Sequence, residues 1–273
     1  MKITAIIPTF NRASHITTAI ESVINQSYKV DEIIIVDDGS TDNTQELLKN
    51  FKTIKIIQSE NKGVSNARNI GIKAAQNAWI TFLDSDDIWL EKKIERQCLF
   101  YQNHPDILFS HTGEQWRRHG KKVKYSKNLI KPEGWCFLEN TPRCKIAASS
   151  VMMHKSILEN VGYFDETMQV CEDYDLWLRI ALRYKIGLIK EECIIKNAGH
   201  EQLSNTIFAI DRYHIKTLLK LLDSPHQDAI KQQICNKCNI LIKGAIKHHN
   251  LEIYKTYSKM IRDIQSQTLP KPQ

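Results

Sequence analysis

The chain has 273 residues and a net charge of +7, with 42% hydrophobic and 25% charged residues. That length suits one sizeable α/β domain with an appendage, or two small domains, and the composition excludes fibrous and low-complexity classes. No apolar run approaches the ~20 residues of a membrane-spanning helix, the seven scattered cysteines argue for a reducing compartment, and basic residues without stacking aromatics argue against a nucleic-acid partner.

Met1-Lys2-Ile3-Thr4-Ala5-Ile6-Ile7-Pro8 is too short for a signal peptide and reads as a first strand. Further strands are expected near residues 32–37, 54–58 and 79–83, with helices between them near 13–26, 42–51 and 63–76. This alternation predicts βαβ units and a largely parallel sheet. Asn11 or Ser14 is expected to cap the first helix, and the second is expected to begin within Ser40–Asp42. Gly39 permits a close backbone turn where a ligand can approach.

From Glu91 a helix near 91–101 leads to a strand near 106–111 and then to a basic, hairpin-like stretch with Arg117-Arg118 and Lys121-Lys122. Residues 171–184 have helical spacing, with Leu176, Ile180 and Tyr184 at four-residue steps, and residues 204–263 read as two or three amphipathic helices. Cys235 and Cys238 fall inside that last pattern without a second Cys or His pair, and so read as helix-face residues. Charge is uneven: residues 111–150 carry 9 basic against 3 acidic side chains, and residues 201–273 carry 11 against 6. Such stretches suit either a solvated face or an anionic surface.

The apolar run Trp79–Leu83 stops at three carboxylates within four positions, Asp84, Asp86 and Asp87. A buried strand ending there would deliver them to the sheet edge where open α/β proteins bind ligands, and a cation would relieve their mutual repulsion. The competing reading is a polar loop in which Asp87 caps the next helix. A second run, Ile33–Val36, ends in Asp37-Asp38-Gly39-Ser40-Thr41-Asp42. Two strand-end clusters point to one shared acidic site.

These motifs recur in a fixed order: Pro8-Thr9-Phe10-Asn11-Arg12, Val36 to Asp42, Asn61 to Asn69, Phe82 to Asp87, and Glu172-Asp173. Together, over roughly residues 1–200, they resemble family 2 glycosyltransferases. Gly199-His200-Glu201-Gln202-Leu203-Ser204 and Asp211-Arg212-Tyr213 are similar to a bacterial subgroup with a helical C-terminal extension. The resemblance implies the GT-A fold, a nucleotide-binding α/β sandwich with a mostly parallel central sheet, over residues 1–203. Within it, 1–110 would form the nucleotide-binding half and 111–203 the acceptor-binding half, and 204–273 the helical extension. It also implies inverting transfer of a sugar from a nucleotide-diphosphate donor, expected to be a UDP-sugar. The acceptor would be a carbohydrate or lipid-linked hydroxyl in surface polysaccharide or glycolipid synthesis.

The resemblance also assigns roles. Asp38 would accept a hydrogen bond from the donor base, with Thr9 bordering the same pocket or serving only as a satisfied turn hydroxyl, and Asp37 acting as a turn anchor. Arg68 would either pair with Asp84 or reach a phosphate. Asp86 takes the metal-ligand position beside Asp84, and hard oxygen ligands suit Mg²⁺ or Mn²⁺. His200 is a candidate further ligand or phosphate contact, its plainer reading being a surface loop residue. Asp173 matches the acceptor-side base, where an acidic N-cap cluster is the alternative, and Trp177 belongs either to the acceptor pocket or to the core. The implied location is cytoplasmic, with peripheral contact between the basic stretches and an anionic membrane. The rival function is a catalytically silent sugar-nucleotide-binding or scaffold protein on the same fold, against which intact Asp86 and Asp173 argue. A nucleotidyltransferase would need a Gly-rich phosphate loop that Pro8–Arg12 lacks.

Overall fold

The computed structural model describes residues 1–118, 120–123, 130–198 and 209–266. Four parallel strands form its first half: β1 (Ile3–Thr9), β2 (Glu32–Asp37), β3 (Lys55–Gln58) and β4 (Trp79–Phe82). Alternate side chains of β1 leave opposite faces of the sheet. Ile3, Ala5 and Ile7 pack with α1 (Ile16–Ile24) and α4 (Lys93–Asn103), while Ile6 packs with α3 (Val64–Ala74). α2 (Thr44–Leu48) completes this half.

The sheet continues in the order β3-β2-β1-β4-β8-β6-β9-β5, with β7 pairing β6 at the side. Here β5 is Ile88–Trp89, β6 Phe109–Arg118, β7 Lys121–Val123, β8 Met152–His154 and β9 Ile186–Ala198. The parallel direction expected of the sheet holds from β3 to β4, and directions are mixed beyond it. β8 runs against both β4 and β6, and β9 runs parallel to β6. A single sheet therefore crosses the expected division at residue 110, which lies inside β6. The basic hairpin is β6–β7, with Arg117 opposite Lys122 and Arg118 opposite Lys121.

β9 is long and bent. Its register against β6 shifts around Gly113, where an added Cβ would lie 2.6 Å from Lys190 O and 2.8 Å from Glu191 O. Glycine at that position admits the bulging backbone. The bend carries the end of β9 across to β5, with Ile194 opposite Trp89 and Ile195 opposite Ile88. It thereby brings Lys196 and Asn197 to the acidic end of β4.

Between and beyond these strands lie α5 (Phe137–Asn140), a 3₁₀ turn (Ala148–Ser150), α6 (Ser156–Val161) and α7 (Glu172–Ala181). Three helices follow among the described residues: α8 (Asp211–Lys220), α9 (Gln227–Lys247) and α10 (Leu251–Gln265). Leu218, Ile230, Ile234, Cys238, Leu241 and Ile264 share one core with Tyr174 and Leu178 of α7, so the extension is packed into the main body. Its expected start at residue 204 lies outside the described residues. No helix among the described residues is long and apolar enough to cross a membrane.

Two expected caps are corrected. α1 is preceded by His15 and has no side-chain cap, because Asn11 turns its amide oxygen instead onto the backbone N–H groups of Thr41 (2.8 Å) and Asp42 (3.3 Å). Asp87 caps no helix either: α4 begins at Lys93, and Asp87 is buried in an ion pair.

Candidate functional site

The site is built on the carboxyl ends of the parallel strands. Thr9 and Asp37 are register partners at the ends of β1 and β2, and the next N–H, that of Asp38, donates to Thr9 O at 2.8 Å. Asp37 Oδ1 accepts from Ser40 N–H (3.1 Å), as a turn anchor does. Thr9 Oγ1 and Asp37 Oδ2 are both buried without a hydrogen-bond partner, so Thr9 is not the satisfied turn hydroxyl of the plainer reading. Orphaned polar atoms are uncommon in protein interiors, and these two belong to register partners at the carboxyl edge of the sheet.

Asp38 has a different environment. Its Oδ1 accepts from the Ser59 hydroxyl and from Lys62 N–H (3.0 Å), and its Oδ2 accepts from Gly63 N–H (2.7 Å). The buried carboxylate thus shapes the loop that enters α3, where Gly63 takes a φ of +91°. A cavity of about 290 Å³ opens there, between Lys62–Ser65 and the segment Glu166–Gln169. The buried Ser65 hydroxyl also has no partner.

α3 then supplies the connection to the acidic strand end. Arg68, almost fully buried, donates from Nη2 to Asp84 Oδ1 (2.7 Å) and from Nη1 to Glu172 Oε1 (2.5 Å), with its guanidinium 5.2 Å from the Phe164 ring centroid. One turn of helix thus uses its cation on two carboxylates that lie far apart in the chain, the Asp84 pairing among them. Burial disfavours charge on Asp84, but Arg68 and Lys196 outweigh it and hold the carboxyl below the usual range. Burial raises Glu172, aided by the neighbouring charge of Asp173 and opposed by Arg68.

The other acids at the end of β4 are divided between different tasks. Ser149 Oγ accepts from Asp84 N–H (3.0 Å) and donates to Asp87 Oδ2 (2.6 Å). Lys196 Nζ also donates to Asp87 Oδ2, at 3.0 Å. Burial pushes Asp87 up to about 6, against the pull of Lys196 and with help from Asp84 and Asp86. Asp86 lies half-buried between these paired neighbours, and its backbone carbonyl accepts from Asn197 Nδ2 (2.8 Å).

No group of three His, Cys, Asp or Glu able to hold a metal occurs among the described residues. The carboxylates at this strand end whose oxygens suit a hard cation are those of Asp86 and Asp84. Two hard oxygens fit Mg²⁺ or Mn²⁺ only where phosphate and water fill the remaining positions. His200 lies outside the described residues.

Asp173 stands in the first turn of α7, next to Glu172. Its Oδ1 accepts from Tyr174 N–H (2.7 Å), and its Oδ2 receives the Cys144 thiol at 3.5 Å. The cap residue before it, Cys171, has a φ of +62° and no side-chain cap bond. Asp175, by contrast, is fully buried and paired with Arg179 (2.7 Å) and Lys220 (2.7 Å). Trp177 belongs to the core: it packs on Phe109 and Phe164, and its indole donates to Ile146 O (3.2 Å).

Thr9, Asp38, Asp84 and Asp86 lie at or just past the ends of β1, β2 and β4, where the apolar runs put them, whereas the pairing of Arg68 with Glu172 and of Lys196 with Asp87 was not read from the sequence. Ser149 was also missed. A lysine 109 positions from its acid leaves no local spacing to read.

The chain belongs to glycosyl transferase family 2, whose family model matches residues 4–161. An uncharacterized glycosyltransferase of Rickettsia felis is 38% identical over 196 residues, 70% of this chain and 32% of that protein. The chain thus spans about a third of the length of that relative. WfaP of Escherichia coli, described as a UDP-Glc:α-D-GlcNAc-diphosphoundecaprenol β-1,3-glucosyltransferase, is 33% identical over 65% of this chain and 69% of its own. The solved structure of S. aureus TarS 1–349 in complex with UDP-GlcNAc superposes with a TM-score of 0.68, covering 96% of this chain and 92% of that one. At 15% identity that likeness carries the fold alone, which is the GT-A sandwich.

Proposed function

We propose that the protein transfers a sugar from a nucleoside-diphosphate donor, a UDP-sugar, to a hydroxyl of a lipid-linked or polysaccharide acceptor, with inversion, on the cytoplasmic side of a membrane. The observation that carries the reading is the Arg68 clamp. It ties Glu172, the chain neighbour of Asp173, to Asp84 at the end of β4, which supports a shared site for the acids of both segments. The donor and acceptor described for WfaP support the substrate classes.

In this reading the donor base and ribose lie along Thr9, Asp37 and the cavity at the start of α3, where unpaired buried oxygens await a donor group. Asp173 takes the proton of the acceptor hydroxyl as that oxygen bonds to the anomeric carbon and the carbon–diphosphate bond breaks, inverting the centre. A divalent cation, held by Asp86 with Asp84 and the phosphates, would neutralise charge on the departing diphosphate. Arg68 and Lys196 keep Asp84 and Asp87 ionised and in place.

The test is thermal stabilisation by nucleotide sugars with and without Mn²⁺, since a bound ligand stabilises the fold by an amount that grows with the logarithm of its concentration over Kd. UDP-sugars are expected to stabilise the wild type, with the metal-dependent part lost in Asp86→Ala and binding kept in Asp173→Asn. No stabilisation by any UDP- or GDP-sugar would refute the proposal, and near-wild-type turnover of Asp173→Asn at saturating donor would remove Asp173 as the base.

A further inference from the structure

The turn between α9 and α10 presents a surface that the candidate site does not use. Ile230, Ile234, Cys238, Leu241 and Ala245 form the buried face of α9. Its outer face therefore carries Ile240 and Ile246, which are 55% and 60% exposed. Across the turn, Leu251 and Tyr254 of α10 are 62% and 41% exposed. Ile246 and Leu251 flank the reversal only five positions apart, and exposed apolar side chains that share one patch mark a contact surface.

The charge around them is predominantly basic. Between residues 240 and 255 stand Lys243, Lys247, Lys255, His248 and His249, against the single acid Glu252. All six of these side chains are exposed. The tip is also firmly built. Asn250 caps α10 by accepting from Ile253 N–H (3.0 Å), and its own N–H donates to Ala245 O (2.9 Å), closing the reversal.

We infer that this tip docks on an anionic phospholipid surface, with Ile246 and Leu251 entering the headgroup–acyl boundary and Lys243, Lys247 and Lys255 meeting headgroup phosphates. Scattered apolar side chains ringed by lysine, without a groove, match the interfacial mode of membrane binding. A second copy of the chain would set like charges face to face, which disfavours self-association through the same patch.

The tip is rigidly connected to the candidate site. Lys237, two turns earlier on α9 and buried, donates to Pro142 O (2.9 Å) and Asp211 Oδ1 (2.8 Å), and lies 2.9 Å from His214 Nδ1. The segment it grips continues to Cys144, whose thiol touches Asp173. From Lys237 to Ile246 is roughly 14 Å along the helix. A bilayer holding the tip therefore sets the height of Asp173 above the membrane.

The test is flotation of the full chain with vesicles of phosphatidylcholine alone and of phosphatidylcholine mixed with phosphatidylglycerol. Binding is expected to the mixed vesicles only, and to fall as salt rises. Lys243→Gln with Lys247→Gln is expected to weaken it roughly 25-fold, at about fivefold per charge. Ile246→Ser with Leu251→Ser is expected to weaken it by at least about tenfold. These side chains are exposed, so unchanged melting temperatures should show that the variants fold. Three outcomes would overturn the inference: equal binding to both vesicles, wild-type binding by both double variants, or dimerisation through the patch in place of vesicle binding. No substrate enters the experiment, so such a failure would leave the transferase reading as it stands.

Discussion

Arg68 and Glu172 meet at 2.5 Å across 104 residues of chain, joining the first turns of α3 to the first residue of α7. Both side chains are nearly excluded from solvent, and the same guanidinium also pairs with Asp84. Removing the cation would leave the buried Glu172 carboxylate without its counter-ion and Asp84 with Lys196 alone. Arg68→Met is therefore expected to cost roughly 3–5 kcal/mol in urea unfolding. Glu172→Gln should cost less, since it removes one charge and keeps an acceptor. Independent, additive effects of Arg68→Met and Glu172→Gln would show that the pair is not energetically coupled.

Lys196 and Asp87 form a second such contact, with only 1% of the Asp87 side chain exposed. Asp87 already lies at about 6 with the lysine present, chiefly through burial. Without it, the folded-state value rises further above that of the unfolded chain. A raised carboxyl binds more protons in the folded state, so stability is greatest at low pH and declines as pH rises through the folded value. Lys196→Met is expected to be destabilised by about 2–4 kcal/mol at pH 8 and by clearly less at pH 5. Urea midpoints at the two pH values decide it, and an equal deficit at both would contradict the assignment.

Lys93 behaves in the opposite sense. It is wholly buried, donating to Thr81 Oγ1 (2.9 Å) and Gln97 Oε1 (2.7 Å) and lying 4.1 Å from the Trp89 ring centroid. Burial lowers it to about 7. Between that value and the ordinary lysine range the unfolded chain binds more protons, so stability rises with pH. From pH 7 to pH 9 the wild type is expected to gain up to roughly 2 kcal/mol relative to Lys93→Met. Parallel pH profiles of the two proteins would disprove this.

Gly113 sits where the backbone of β9 bulges against β6, and the atoms that a Cβ would strike are the carbonyl oxygens of Lys190 and Glu191. Backbone yields less readily than a side-chain tip. Gly113→Ala is expected to destabilise the protein by roughly 1–3 kcal/mol, measured by thermal unfolding. A neutral result would mean that the bulge can slide.

The strands and acids of the first half were legible because their signals are local. Ile33–Val36 and Trp79–Leu83 are short apolar runs that end abruptly in carboxylates, and β2 and β4 end where those runs end. Asp84 and Asp86 emerge accordingly. Pairings across the fold left no such trace. Asp87 looked like a helix cap because its nearest neighbours are polar, while its actual partner, Lys196, lies 109 positions away on a bent strand. Asn11 misled in the same way: its oxygen serves the β2–α2 turn rather than its own helix. The mixed half of the sheet was opaque because β8 has three residues and β5 two, too few to show a period.

The grip of Lys237 on Pro142 and Asp211 has a consequence for anyone who would recombine this protein with its relatives. A crossover placed ahead of α8 would separate the lysine from the loop it holds, leaving a buried ammonium in one parent's helix facing another parent's carbonyls. Chimeras that exchange residues 141–144 together with α8 and α9 should survive where those that exchange the helices alone collapse. The heritable unit is therefore the loop and the helices together, although more than sixty residues separate them in the chain.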